Sequence, residues 1–282
     1  MEIQTHYPKN PILKTYIEYY YFLKTSSKDF SSVYYSFPNT SHSLNIHKNV
    51  TCDIASDYIH VKENNKNNFL TIVQGKYETP LLVRLKGRFD KVTIIFKPLG
   101  LNHFIDRPFA CVAGRSSQIF EEWQSDPDYI SFLNNFYKTE NNIERVKFLE
   151  NFLLSKHHNL NQYAILQNAI EQLNNFEVEH SIEEIAGNAG MNLRSFSRLF
   201  YNQLGISPVG FKKIARFRHS LKNKLFSDNF KRLTDIGYES NFYDQSYFIK
   251  MYKKLTKDPP TSFFKSIEKL ADNQLILKFF SQ

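Results

Sequence analysis

Apolar positions fall into two textures along the chain. Up to about residue 100 they form short segments, at 33–37, 43–46, 58–61, 70–73, 81–85 and 92–96, each five residues or fewer. Turn formers separate them: Pro38-Asn39, the asparagine cluster at 64–68, Gly75, Pro80 and Pro98-Leu99-Gly100. That spacing predicts strands of an antiparallel sheet or barrel. The tyrosine-rich run 12–22, with Tyr16, Ile17, Tyr19, Tyr20 and Tyr21, has no deciding period, and we read it as a helix. Beyond Gly114 the spacing becomes helical. Ile143, Val146, Leu149 and Leu153 make one stripe, and Leu166, Ala169, Ile170 and Leu173 make another. Such stripes pack on their own domain or pair a second subunit. Asn174-Asn175 and residues 177–180 then read as a linker.

From Ser181 the pattern predicts a helix-turn-helix. Ser181 and Glu184 form an S-x-x-E capping box, which satisfies free N–H groups at a helix start, and Ile182, Ile185, Ala186 and Ala189 follow as one buried stripe. Gly190 suits the left-handed turn, and Asn192 caps the next helix. That helix is expected to bury Leu193, Phe196, Leu199 and Phe200, leaving Arg194, Ser197, Arg198 and Tyr201 on the other side. Gly205 and Pro208 stop it. A long helix carrying Phe211, Ile214, Ala215, Leu221 and Leu225 leads on, studded with Lys212, Lys213, Arg216, Arg218, Lys222 and Lys224.

The unit then repeats. Phe196, Arg198, Leu199, Phe200 and Pro208 recur as Phe248, Lys250, Met251, Tyr252 and Pro260 at an offset of 52, while Ile182, Ile185 and Gly190 correspond to Leu233, Ile236 and Asn241 at an offset of 51. Leu233, Ile236 and Ser240 line the second supporting helix, Asp244 caps its successor, and Phe248, Met251, Tyr252 and Leu255 form the buried stripe. Gln245, Ser246, Lys250 and Lys253 stay outside. Two such units on a stiff spacer suit duplex DNA, since recognition helices about one turn apart, roughly 34 Å, enter successive major grooves.

Charge supports that direction. The chain of 282 residues has net charge +8, yet residues 1–180 hold 19 basic and 19 acidic side chains, so the whole excess lies in 181–282, with 17 against 9. A basic third beside a neutral two-thirds points to a polyanion at one end and an uncharged or small partner at the other.

At these residues the sequence resembles the AraC/XylS family of bacterial transcription regulators. The second unit's signature reads L-T-D-I-G-Y-E-S-N-F-Y-D-Q-S-Y-F-I-K-M-Y-K-K-L-T-K-D-P-P from Leu233 to Pro260, and the first unit's reads I-E-E-I-A-G-N-A-G-M-N-L-R-S-F-S-R-L-F-Y-N-Q-L-G-I-S-P from Ile182 to Pro208. Departures are Gly237 for alanine, Asn241 for the turn glycine, Met251 and Tyr252 in a phenylalanine region, and Lys257-Asp258 where glycine is common. The resemblance implies an α+β chain with a β-rich sensor domain over 1–115, a helical connector over 116–176 and an all-α DNA-binding domain over 177–282, its two helix-turn-helix units joined by a long helix. Carried over by position, it puts Arg194, Ser197, Arg198, Gln245, Ser246 and Lys250 at base edges in the major groove. Arginine pairs bidentately with guanine and glutamine with adenine, whereas Lys222, Lys224, Lys253 and Lys254 suit phosphates. Double-stranded promoter DNA is the implied partner. RNA polymerase, a second copy of the chain and an unnamed small-molecule effector are the others. G-K-Y-E-T-P from Gly75 to Pro80 and F-K-P-L-G from Phe96 to Gly100 are similar to a sensor domain of some members.

Other chemistry is thinly represented. No stretch approaches about 18 consecutive apolar residues and the start, Met1 to Asn10, is polar, so we expect neither a membrane span nor a secretory signal but a cytoplasmic protein. Phosphate-cradling glycine loops, G-x-S-x-G and H-E-x-x-H are absent from the sequence, and we expect no catalytic residue, metal or cofactor. His42 and His47 lack a third ligand at metal spacing. Alternatives are an alkyl-transfer repair protein acting through Cys52 or Cys111, which lack activating neighbours in sequence, and a non-specific architectural DNA binder held by phosphate contacts alone. The 17 tyrosines and 26 phenylalanines either line an apolar pocket or, more commonly, fill a core.

Overall fold

Two six-stranded sheets, one of them completed by strands of the C-terminal tail, form the β-rich part of the molecule. The computed structural model describes residues 1–226, 236, 237, 239, 240, 242 and 244–280, so Leu233 and Asn241 lie outside the described residues. One sheet runs in the order β1 (Glu2–His6), β2 (Ile17–Thr25), β9 (Phe89–Phe96), β4 (His42–Lys48), β7 (Phe69–Val73) and β10 (Gln118–Ile119). The other runs β11 (Glu268–Leu270), β12 (Leu275–Phe279), β3 (Ser31–Ser36), β8 (Leu81–Lys86), β6 (Tyr58–Glu63) and β5 (Val50–Ile54). Neighbours are antiparallel except β6 and β8.

All six segments expected as strands are strands. The run 12–22 is different: the helix α1 (Pro11–Tyr16), started by the Asn10 side chain accepting from the Ile12 N–H at 2.8 Å, stops at Tyr16, and Ile17 turns extended to open β2. β2 lies between β1 and β9 with both faces covered. Tyr20 and Phe22 face one core, and Tyr19, Tyr21 and Leu23 face another. A strand buried on both sides has no polar alternation, which is why the period was uninformative.

The core between the sheets gathers Tyr19, Tyr21, Tyr34, Ile59, Val61, Ile72, Val83, Leu85 and Ile95. The outer face of the first sheet is covered by α1, α2 (Phe109–Val112), α3 (Pro127–Lys138) and α4 (Asn142–Lys156), through Leu13, Phe109, Phe132, Phe136, Leu149 and Leu153, with Trp123 of the turn before α3 beside them. Arg145 of α4 crosses to Asp90 of β9 in a two-pronged ion pair at 2.9 and 2.8 Å and donates to the Thr139 carbonyl at 2.7 Å. The second predicted stripe lies on α5 (Tyr163–Leu173). It is buried against the following helices, and of the first stripe Val146, Leu149 and Leu153 pack within the chain while Ile143 stays exposed.

The tail holds strands that the helical texture of the C-terminal third did not predict. After α10 (Pro260–Ser266) the chain returns to the sheets, where β11 and β12 form a hairpin and β12 pairs with β3.

Candidate nucleic-acid interface

The first helix-turn-helix is α6 (Ile182–Asn188) followed by α7 (Leu193–Leu204). The capping box is formed: the Glu184 N–H donates to Ser181 Oγ at 3.1 Å, and the Ser181 N–H donates to Glu184 Oε2 at 2.7 Å. Gly190 takes the left-handed turn at φ 67°, and Asn192 caps α7 by accepting from the Ser195 N–H at 2.9 Å. Phe196, Phe200 and Leu204 are fully buried, and Leu199 is half-buried. Leu193 departs from expectation. As the first residue of α7 it lies beyond the packed stripe and is 40% exposed.

On the opposite side Arg194 and Arg198 are exposed, and Ser197 and Tyr201 are half-buried. The far end of α7 is docked on the β-rich half. Asn102 Nδ2 donates to the Gln203 carbonyl and to Gln203 Oε1, both at 2.9 Å. Gly205 ends α7 at φ 71°, where an added Cβ would lie 2.8 Å from the Phe109 ring, so both the conformation and the close approach require glycine. Docking thus takes the end of the helix and leaves its first two turns, with Arg194 and Arg198, in the open.

The spacer α8 (Pro208–Phe226) presents Lys222 as exposed and Lys224 as half-buried. Three of its other cations are committed within the protein. Lys212 and Arg216 both pair with Glu179, and Arg218 turns inward, its Nε and Nη2 donating to the Pro38 and Phe37 carbonyls at 2.7 Å each.

The second recognition helix is α9 (Gln245–Thr256), capped by Asp244 accepting from the Ser246 N–H at 2.8 Å. Phe248, Met251, Tyr252 and Leu255 are buried as expected, as are Ile236 and Ser240. Gln245, Ser246, Lys250, Lys253 and Lys254 are exposed. Lys254 is also held across the domain junction, 3.0 Å from Glu78. Among the described residues a Cβ added at Gly237, the departure from alanine, would meet only Phe248, at an ordinary 3.8 Å. Lys257 sits at φ 67° in the C-terminal turn where glycine is common, a strained position for a lysine, and its Nζ donates to Tyr35 Oη at 3.0 Å.

A cavity opens between the two sheets. Its walls include Tyr19, Tyr21, Tyr34, Tyr77, Val83 and Ile95, and it is closed by parts of the C-terminal third: Arg218 and residues 274–277. The loop at its rim is fastened by cations. Lys76 Nζ donates to the carbonyls of Thr40 and Ser41 at 2.6 Å and of Asn39 at 3.3 Å, beside the Arg218 contacts to Phe37 and Pro38. Glu18 accepts from Ser41 Oγ at 2.5 Å, and burial pushes its carboxyl above the usual range. Lys91, 4% exposed, also faces the cavity, with its ammonium 5.3 Å from the Tyr21 ring centre. His42 and His47 are buried in the same walls, and desolvation holds both well below the ordinary imidazole range. Sequence reasoning missed this site, because it joins residues from β2, β3, β4, α8 and the tail.

Among the described residues no three His, Cys, Asp or Glu side chains cluster as metal ligands, and no helix is long and apolar enough to cross a membrane. Burial pushes the Cys52 thiol up to about 12, the reverse of an activated nucleophile, with Asp53 adding to the shift.

Residues 162–266 match the family described as helix-turn-helix domain. No curated protein matches the chain in sequence. Among solved structures it is similar to ToxT from Vibrio cholerae at 13% identity and a TM-score of 0.45, over 94% of this chain and 98% of that one. It is similar also to ToxT from Vibrio cholerae O395, at 13% and 0.42 over 93% and 97%, and to unsaturated fatty acid bound ToxT from strain SCE256, at 12% and 0.40 over 86% and 94%. With the capped α6–α7 pair, residues 162–266 are a helix-turn-helix domain carried behind a β-rich N-terminal half.

Proposed function

We propose that this chain is a cytoplasmic transcription regulator that binds promoter DNA in a sequence-specific way and is controlled at its β-rich domain by a small ligand or partner. The observation that carries the reading is the open N-terminal half of α7, where Arg194 and Arg198 stand exposed above a stripe of Phe196, Phe200 and Leu204 that fixes the helix from behind. Arg194, Ser197 and Arg198, with Gln245, Ser246 and Lys250 of α9, read base edges; Lys222, Lys224, Lys253 and Lys254 set register on phosphates. No covalent step is needed, and none is assigned. Contact with RNA polymerase and pairing of two copies belong to the same reading. Control by ligand is supported by the cavity, whose lining draws on both halves of the chain.

Selection of genomic fragments by the purified chain tests the reading. The expected result is a shared motif among the bound fragments, bound tightly over random DNA. Uniform binding of all fragments, falling steeply with salt, would instead identify an architectural binder.

A further inference from the structure

β12 has two faces, and they belong to two different cores. Leu275, Leu277 and Phe279 pack with Tyr19, Tyr21, Tyr34 and Ile95 between the sheets, and Leu275 and Leu277 also wall the cavity. Ile276 points the other way, into the core of the second helix-turn-helix with Phe217, Phe248, Tyr252 and Phe263. Its neighbour but one, Lys278, pairs at 2.5 Å with Asp258, just past the end of α9. Successive side chains of a strand point to opposite faces, so a single five-residue strand joins the cavity to the packing behind α9.

The attachment is small. β12 meets β3 over three residue pairs, Ser36 with Leu277, Tyr35 with Lys278 and Tyr34 with Phe279, and β11 meets β12 over three more. A hairpin of that size is not stable by itself and depends on what it packs against. One residue, Ile267, separates it from α10, so the hairpin is directly continuous with the second unit. While it is seated, Lys254 lies against Glu78 and Lys257 against Tyr35, which commits two cations at the end of α9 to the β-rich domain. A phosphate would have to compete for Lys254.

We propose that the hairpin is an autoinhibitory clasp: seated on β3 it holds the second recognition helix against the β-rich domain, and its displacement from the cavity wall releases that helix for DNA. This rests on the DNA-binding reading above. The test is a crosslink. The Phe280 N–H donates to the Val33 carbonyl at 2.9 Å, which makes Ser36 and Leu277 a pair without mutual hydrogen bonds, whose Cα atoms in such ladders stand about 4.5 Å apart, within disulfide reach. Ser36→Cys with Leu277→Cys, in a Cys52→Ser, Cys111→Ser background, is compared oxidised and reduced for affinity to a fragment selected by the native chain. The oxidised form should bind about 5- to 150-fold more weakly than the same protein reduced, with recovery on adding reductant. A chain ending after Ile267 should bind at least as tightly as the reduced form; if that chain does not fold, the crosslink comparison decides alone. Equal affinity of oxidised and reduced forms would overturn the clasp while leaving DNA binding intact. Failure of the native chain to select any fragment would overturn the DNA-binding reading and the clasp with it.

Discussion

Arg198 and Lys222 are both exposed cations of the C-terminal third, and the proposed function gives them different work. On α7 a guanidinium has the fork geometry for a guanine edge; on the spacer an ammonium is a point charge suited to phosphate. Arg198→Ala should therefore lower affinity for the selected site by about 1–3 kcal/mol and relax preference at one base position. Lys222→Ala should weaken all sequences alike and reduce the salt slope by about one unit. Titrations of specific and random duplexes at several salt concentrations separate the two. An Arg198→Ala loss equal on both duplexes would remove it from the base-reading set. Helical arithmetic from the sequence placed Arg194 and Arg198 on the open side because the apolar stripe of α7 alone, Phe196, Phe200 and Leu204, sets which face is buried. The same arithmetic listed Arg218 as one more surface stud, and there it was misleading: the carbonyls of Phe37 and Pro38 that it meets are 180 positions away.

At the level of elements, α4 is bolted to the first sheet through a nearly buried charge, Arg145, whose side chain is 3% exposed. Removing its partner leaves a guanidinium without its counter-charge, so Asp90→Ala should destabilise the fold by about 3–5 kcal/mol. Lys24 and Glu140 also pair, but both are exposed, and Glu140→Ala should change stability by less than about 1 kcal/mol. Urea midpoints of the two variants, measured side by side, check the contrast; equal shifts would mean that burial of Arg145 carries no weight. Strand existence was legible wherever a short apolar run stood between turn formers, as at β4 and β8. It was illegible in β2, which is apolar on both faces, and in the β11–β12 hairpin, whose β12 pairs with the sequence-distant β3. The helix-turn-helix was the most legible part, since capping, stripe and turn are all local signals. The cavity was invisible for the opposite reason, with no two adjacent elements sufficient to outline it.

For the molecule as a whole, the buried histidines set a pH limit. His42 and His47 are held well below the ordinary value, and His103 is lowered to about 4, in each case chiefly by burial. Below the ordinary imidazole value of about 6.5 the unfolded chain takes up protons that the folded chain refuses, so stability present above that pH is lost as pH falls. Glu18, whose value is raised, acts in the opposite sense, its contribution fading as pH rises, but it is one group against three. Urea midpoints should fall between about pH 7.5 and about pH 5; an unchanged midpoint would show that these imidazoles are not held neutral. A different consequence follows from the pairing of Tyr34 with Phe279, 245 positions apart. During synthesis β3 is made well before β12, and its outer edge waits for the intervening residues to leave the ribosome before it finds its neighbour. Through that interval the nascent sheet presents a row of unpaired backbone N–H and C=O groups to the crowded cell, and the yield of native protein should depend on how well chaperones shield it.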